Sequence, residues 1–223
     1  MMNFEAARIK MVENQIRTTD VTSHPVISAF LSVPREAFLP QEKKALAYID
    51  EDIPVSQAAD DKPARFMMEP SPLAKLVQLL EVKKNDVVLV VGSGEGYSTA
   101  ILSLLANSVV AIESDENLAS ESSQHLADLG YDNAAVVTGN IEEGYAPEAP
   151  YDAIFVNGAI EFVPQALLDQ LRDGGRLVAV EGYGNAARAR LYWRERDVCS
   201  YISAFNAAIR PLPGFTKARE FEF

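Results

Sequence analysis

The stretch Val87 to Tyr97, VVLVVGSGEGY, decides the fold. Its five valines and leucines run without a polar interruption, the mark of a strand buried on both faces. They stop at glycines on alternate positions, Gly92, Gly94 and Gly96, with Tyr97 directly after. Glycine accepts left-handed backbone and has no Cβ, so such a turn lets a ligand approach bare main chain at the strand end. A second β-like run, Ser108 to Glu113 (SVVAIE), closes on an acid about twenty residues beyond the first glycine, where nucleotide-type folds place the carboxylate that accepts a ribose diol. The combination predicts an adenosine site with Glu113 on the ribose; a plain strand-to-helix turn is the bland alternative.

Working outward, the chain divides near residue 70. Downstream, Ser71 and Pro72 start a helix with Leu73, Leu76, Val77 and Leu80 on one face. Strands are expected at 87–91, 108–113, 134–138, 152–157 and 176–181, with helices after the glycine turn, over 116–129 up to Gly130, and over 164–172 up to Gly174-Gly175. Strands alternating with helices imply a parallel sheet covered on both faces. Arg190–Glu195 and Val198–Phe205, separated only by Arg196-Asp197, predict an antiparallel hairpin at the sheet edge. The expected architecture is α/β: a doubly wound, mostly parallel seven-stranded sheet with a C-terminal edge hairpin. Residues 71–223 form this domain. Residues 1–70 form an N-terminal helical extension with a substrate-side loop. In the extension, Ile9, Val12 and Ile16 share a helical spacing, Thr22 or Ser23 caps a second helix carrying Pro25, and 53–70, with Asp60-Asp61, reads as an exposed loop.

Composition narrows the function classes. The 223 residues, 48% hydrophobic, can bury one sizeable core. A net charge of -12 argues against nucleic acid and anionic membranes as partners. Cys199, the sole cysteine, reads as a packed strand residue, and with only His24 and His125 besides it no zinc site is expected. No stretch approaches a membrane span or a leader, so a cytoplasmic location is expected. His125 and Glu95 read as solvated.

The G-x-G-x-G spacing is tighter than a dinucleotide fingerprint and resembles the S-adenosylmethionine loop of class I methyltransferases. Local words then point to one family. Met11-Val12 with Gln15-Ile16, VPREAFLP at 33–40, AYIDEDIPV at 47–55, the Gly139-Asn140 turn, PYDAIFVNGA at 150–159 and VPQALLDQLRDGGRLVAV at 163–180 are similar to protein-L-isoaspartate O-methyltransferases over nearly the whole chain. The resemblance implies S-adenosylmethionine as cofactor, S-adenosylhomocysteine as product, and a protein or peptide substrate carrying a carboxylate. It implies a cofactor site of Gly92, Ser93, Gly94, Gly96, Tyr97, Glu113, Ser114, Asn140, Ile141 and Asn157, without a metal.

The chain departs from the family pattern in three places. Val90 stands where members carry an acid for the methionine end of the cofactor. Asn140 replaces the aspartate of the adenine-side turn, and its amide can both accept and donate there. In the substrate loop RFMMEP, aligned on Pro70, Met68 takes the position of the family's hydroxyl residue. The catalytic position is therefore unassigned, with Arg65 and Ser71 as candidates. Taken by themselves, Val90 is core, Met67 and Met68 are apolar anchors, and Arg65 pairs with a nearby acid. Tyr97 either lies against the cofactor or covers the first helix.

Methyl transfer to an already ionised carboxylate needs no general base, only placement and charge stabilisation. Losing one preorganised donor costs on the order of 10²- to 10³-fold. The expected activity is carboxyl methylation, weak or lost. A non-catalytic member acting in regulation or interaction is the alternative, and a nicotinamide oxidoreductase a distant third.

Overall fold

The computed structural model describes residues 3–58 and 63–216. An N-terminal layer contains α1 (Phe4–Met11) and α2 (His24–Ser32), followed by short 3-10 turns. A two-stranded ladder, β1 (Ile53–Pro54) with β2 (Phe66–Met67), leads into α3 (Pro70–Leu80). Then come β3 (Val87–Val91), α4 (Tyr97–Ser103), β4 (Ser108–Glu113), α5 (Glu116–Asp128), β5 (Ala134–Thr138), β6 (Tyr151–Ile160), α6 (Gln165–Asp169) and β7 (Leu171–Glu181). The hairpin β8 (Arg188–Glu195) and β9 (Val198–Asn206) follows. The sheet order is β5-β4-β3-β6-β7-β8-β9, parallel through β7 and antiparallel beyond it, so the expected seven-stranded sheet with its edge hairpin is present.

Alternate residues of the strands feed two cores. Val88, Val90, Phe155 and Val178 face α3, α4 and the N-terminal layer, where Met11, Phe30 and Phe38 join the same cluster. Leu89, Val91, Ile154, Val156 and Leu177 face α6 and the segment after β9, including Leu212 and Phe215. Val90 is fully buried, as its strand position implied. Cys199 packs half-buried against the second cluster.

Four expectations need correction. Ile9 is 48% exposed, whereas Met11, Val12 and Ile16 are buried. After α1 the chain widens into a π turn over Val12–Ile16, which shifts the helical phase and turns Ile9 outward. The segment 53–70 is not an exposed loop: Ile53 pairs with Met67, both 1% exposed, and Arg35 ties it down through Met68 O at 2.7 Å and Ala47 O at 2.7 Å. Asp60-Asp61 lies outside the described residues. The helix expected over 164–172 shrinks to α6, because Tyr151 N donates to Gln170 O and Leu171 already pairs with Tyr151 in the sheet. Gly174 (φ 75°) and Gly175 then lie within β7, at its register shift, instead of stopping a helix. Finally, Ser23 holds the cap position of α2 without a side-chain capping bond. Gln78 Oε1 from α3 accepts from the Thr22 and Ser23 amides instead.

Candidate active site

The sheet order reverses at β3, whose neighbours β4 and β6 both connect away from it, and open α/β sheets bind ligands outside the strand ends at that point. The glycine turn sits there. Gly92 (φ 78°) donates to Ile112 O at 2.8 Å, and its own carbonyl accepts from Asn157 Nδ2 at 2.9 Å. Gly94 (φ 57°) leaves open space where a Cβ would be, with only Asn157 Nδ2 nearby at 3.9 Å. Gly96 (φ 99°) opens α4 so close to α5 that a Cβ there would meet Ser122 Oγ at 2.7 Å. Ser93 is buried beneath the turn and hydrogen-bonded to Ser122 Oγ.

Glu113, at the end of β4, is completely buried and completely engaged. Arg65 Nη1 and Nη2 donate to its two oxygens at 2.6 and 2.9 Å, and the amides of Gly94, Ser114 and Asp115 donate at 2.8, 2.9 and 3.1 Å. Burial alone would push this carboxyl up, but the Arg65 guanidinium and the backbone amides outweigh it and hold it below the usual range. Arg65 thus meets an acid of its own chain. Ser114 is exposed in the turn leading to α5 and lines a cleft of about 520 Å³ with Ser56, Arg65, Asn117 and Pro213.

Past β9 the chain returns as a strap over the same strand ends. Ala159 N donates to Arg210 O, Leu212 N to Ala159 O and Glu161 N to Phe215 O. Leu212 is driven against the turn: a Cβ on Gly92 would lie 2.6 Å from Leu212 Cδ1 and 3.4 Å from Arg65 Nη2. After β5, Asn140 is exposed and closes its own turn, accepting from Glu142 N and donating to Glu143 Oε1, with Ile141 buried. Bare main chain at Gly94, an acid at the neighbouring strand end and amide donors beyond it suit an adenosyl ligand in kind. Arg65 and Leu212 share that ground.

The remaining candidates lie deeper. Tyr97 is fully buried away from the strand ends, edge-on to Phe30 and Phe38 with the Arg35 guanidinium 4.8 Å above its ring, and burial raises its hydroxyl to about 12. It covers the N-terminal layer. Met68 is 7% exposed, and Ser71 lies in the first turn of α3. Two residues read as solvated are not. Glu95 is 4% exposed, and its Oε2 finds no hydrogen-bond partner among the described residues. Burial lifts its carboxyl to about 7 despite Arg35 and Arg65 nearby. His125 is half-buried, edge-on to Phe38, with Nδ1 3.0 Å from Glu95 O. Both are polar residues drawn inside because the N-terminal layer closes over the turn. The strap was missed altogether, although Arg210-Pro-Leu-Pro-Gly-Phe215, two apolar residues among prolines and glycine, is its visible signal.

A doubly wound sheet with a glycine turn at its switch point and an acid on the next strand defines a class I methyltransferase-type fold. A family model for protein-L-isoaspartate(D-aspartate) O-methyltransferase matches residues 6–205. The chain is 38% identical over 175 residues to the protein-L-isoaspartate O-methyltransferase of Methanoculleus marisnigri, covering 78% of this chain and 77% of that one. It is 33% identical over 213 residues to protein-L-isoaspartate O-methyltransferase 2 of Pelobacter propionicus, covering 96% and 92%. This chain belongs to the protein-L-isoaspartate O-methyltransferase family. A solved protein-L-isoaspartate O-methyltransferase shares its fold at a TM-score of 0.81 and 24% identity, over 93% of this chain and 66% of that one. A Plasmodium falciparum structure described as a putative member in complex with S-adenosyl-L-homocysteine matches at 0.75 and 20% identity, over 95% and 99%.

Proposed function

We propose that this chain is an S-adenosylmethionine-dependent protein carboxyl methyltransferase acting on L-isoaspartyl residues. The observation that carries the reading is Glu113 hydrogen-bonded to Gly94 N at the switch point of the sheet, the acid and the glycine turn built as one unit. Glu113 would serve the ribose hydroxyls, and the main chain of Gly92, Ser93 and Gly94 would help hold the ligand. Asn157 fixes the Gly92 carbonyl. Ser114, Asn140 and Ile141 serve the adenine side. Gly96 sets the start of α4, and Tyr97 anchors that helix from inside. The bound sulfonium supplies an electrophilic methyl group.

The chain's own part is placement. An isoaspartyl carboxylate is ionised at neutral pH, so no residue need remove a proton. What is needed is alignment and a favourable field at the acceptor, for which residues 1–70, closing over the turn with Arg65 and Ser71, are the source. No helix among the described residues is long and apolar enough to cross a membrane. A folded domain with a partly covered site suits exposed or unfolded protein segments as substrate.

The test is methyl transfer from labelled S-adenosylmethionine to an isoaspartyl peptide, read as methanol release, beside the same peptide with normal aspartate. Selective release from the isoaspartyl peptide supports the reading. Calorimetric absence of S-adenosylhomocysteine binding at millimolar concentration would sink it. A second reading, a member that keeps the fold and acts through protein interaction, is favoured by Arg65 on Glu113, with Val90 and Met68 in place of polar groups.

A further inference from the structure

We infer that Arg65 and Leu212 hold the donor site closed in this chain, and that the donor exchanges with them: its ribose hydroxyls take Glu113, and the released Arg65 guanidinium clamps the carboxylate of the acceptor. The inference rests on the methyltransferase reading and adds to it an order of binding, donor before acceptor.

Geometry carries the first half. Two guanidinium N–H groups on two carboxylate oxygens, at 2.6 and 2.9 Å, are the two-point pattern that a ribose diol would present to the same acid. The carboxylate cannot satisfy both, because the amides of Gly94, Ser114 and Asp115 already draw on its remaining lone pairs. The second contact is steric and independent of charge. Leu212 fills the space above Gly92 that a ligand needs in order to reach bare main chain, and it is fixed there by the Leu212 N to Ala159 O bond of 2.8 Å. Arg65 Nη2 borders the same space. One patch of backbone therefore meets an ion pair from the N-terminal layer and an apolar side chain from the C-terminal strap.

Charge carries the second half. Arg65 is 8% exposed, and a guanidinium released from Glu113 at that depth is costly to leave without an anion. Glu95, a buried carboxyl that also feels Arg65, is raised to about 7 by burial and is a poor replacement. An incoming acceptor carboxylate supplies the missing anion, and the planar fork of arginine suits it bidentately. Arg65 is then a positioning residue whose availability depends on the donor.

The experiment is calorimetric titration of S-adenosylhomocysteine into wild type, Arg65→Met and Leu212→Ala, with steady-state methylation of an isoaspartyl peptide at saturating donor. Arg65→Met is expected to bind about tenfold tighter, the scale of one exchanged charge-assisted hydrogen bond, and Leu212→Ala several-fold tighter. Arg65→Met should raise KM for the peptide about tenfold while kcat moves less, whereas Leu212→Ala should leave KM unchanged. Leu212→Ala keeps the ion pair intact, so it tests the closure even where Arg65→Met fails to fold. Equal or weaker binding in both variants beside a binding wild type overturns the closure and leaves the methyltransferase reading standing. An unchanged peptide KM in Arg65→Met overturns the clamp. No binding in any of the three overturns both readings.

Discussion

Glu113 at the end of β4 and Glu95 inside the glycine turn are both shut off from solvent, yet the fold treats them in opposite ways. Around Glu113, Arg65 just before β2, Gly94 in the turn, and Ser114 and Asp115 just after β4 converge to donate hydrogen bonds, so the ionised carboxylate is the stable form. Around Glu95 the N-terminal layer supplies cover without enough donors, leaving Oε2 unpartnered and the carboxyl raised to about 7. Burial is the same in both places. The donor count decides the charge.

The largest effect should come from breaking the satisfied side. Glu113→Ala strands Arg65 near the turn and is expected to cost about 3–5 kcal/mol in urea unfolding. It should also abolish measurable S-adenosylhomocysteine binding. Adding Arg65→Met should return much of the lost stability, since it removes the orphaned charge. If the double variant is no more stable than Glu113→Ala, the pair is not the coupled unit described.

The other side should respond to pH. Because the folded value of Glu95, about 7, stands above that of an unfolded carboxylate, its contribution is full only below the ordinary carboxylate range and is lost as pH rises from there through about 7. Wild type should lose on the order of 2–3 kcal/mol relative to Glu95→Gln between about pH 5 and 8. Glu113, whose value is lowered, acts in the reverse sense: its contribution is present above the ordinary carboxylate range and disappears only in stronger acid. Parallel stability curves for wild type and Glu95→Gln would remove the contrast between the two carboxyls.

Met68 gives the smallest effect. Its carbonyl, not its side chain, makes the polar contact to Arg35, and the side chain is 7% exposed among apolar neighbours. Met68→Ser is therefore expected to cost about 2 kcal/mol of stability. It should leave methanol release within about tenfold of wild type, because a hydroxyl without its supporting loop is misplaced. A jump to strong isoaspartate-selective turnover would show that the missing hydroxyl alone limits the reaction.

The sheet was legible because its signals are local. The β-branched-rich runs VVLVV at 87–91 and SVVAIE at 108–113 are strands at those bounds, and Glu113 at the end of the second meets the glycine turn. The helix expected over 164–172 is shorter than its pattern suggests because a glycine pair reads alike as a helix stop or as a kink within a strand. Glu95 and His125 look solvated since their local composition is polar, and the cover over them comes from residues far away in sequence.

Local pattern in the chain was enough for the fold class, the family and the meeting of Glu113 with the glycine turn at the switch point of the sheet. These follow from periodicity and from glycines whose backbone requirement is intrinsic to the residue. Which groups meet that acid is a matter of packing. Arg65 reaches Glu113 across 48 positions of chain, and Leu212 reaches Gly92 only because the strap docks on Ala159 after the hairpin turns it back. Long-range ion pairs and side-chain contacts of this kind leave no spacing in the chain. They exist only once the folded core has brought the two segments to the same strand end.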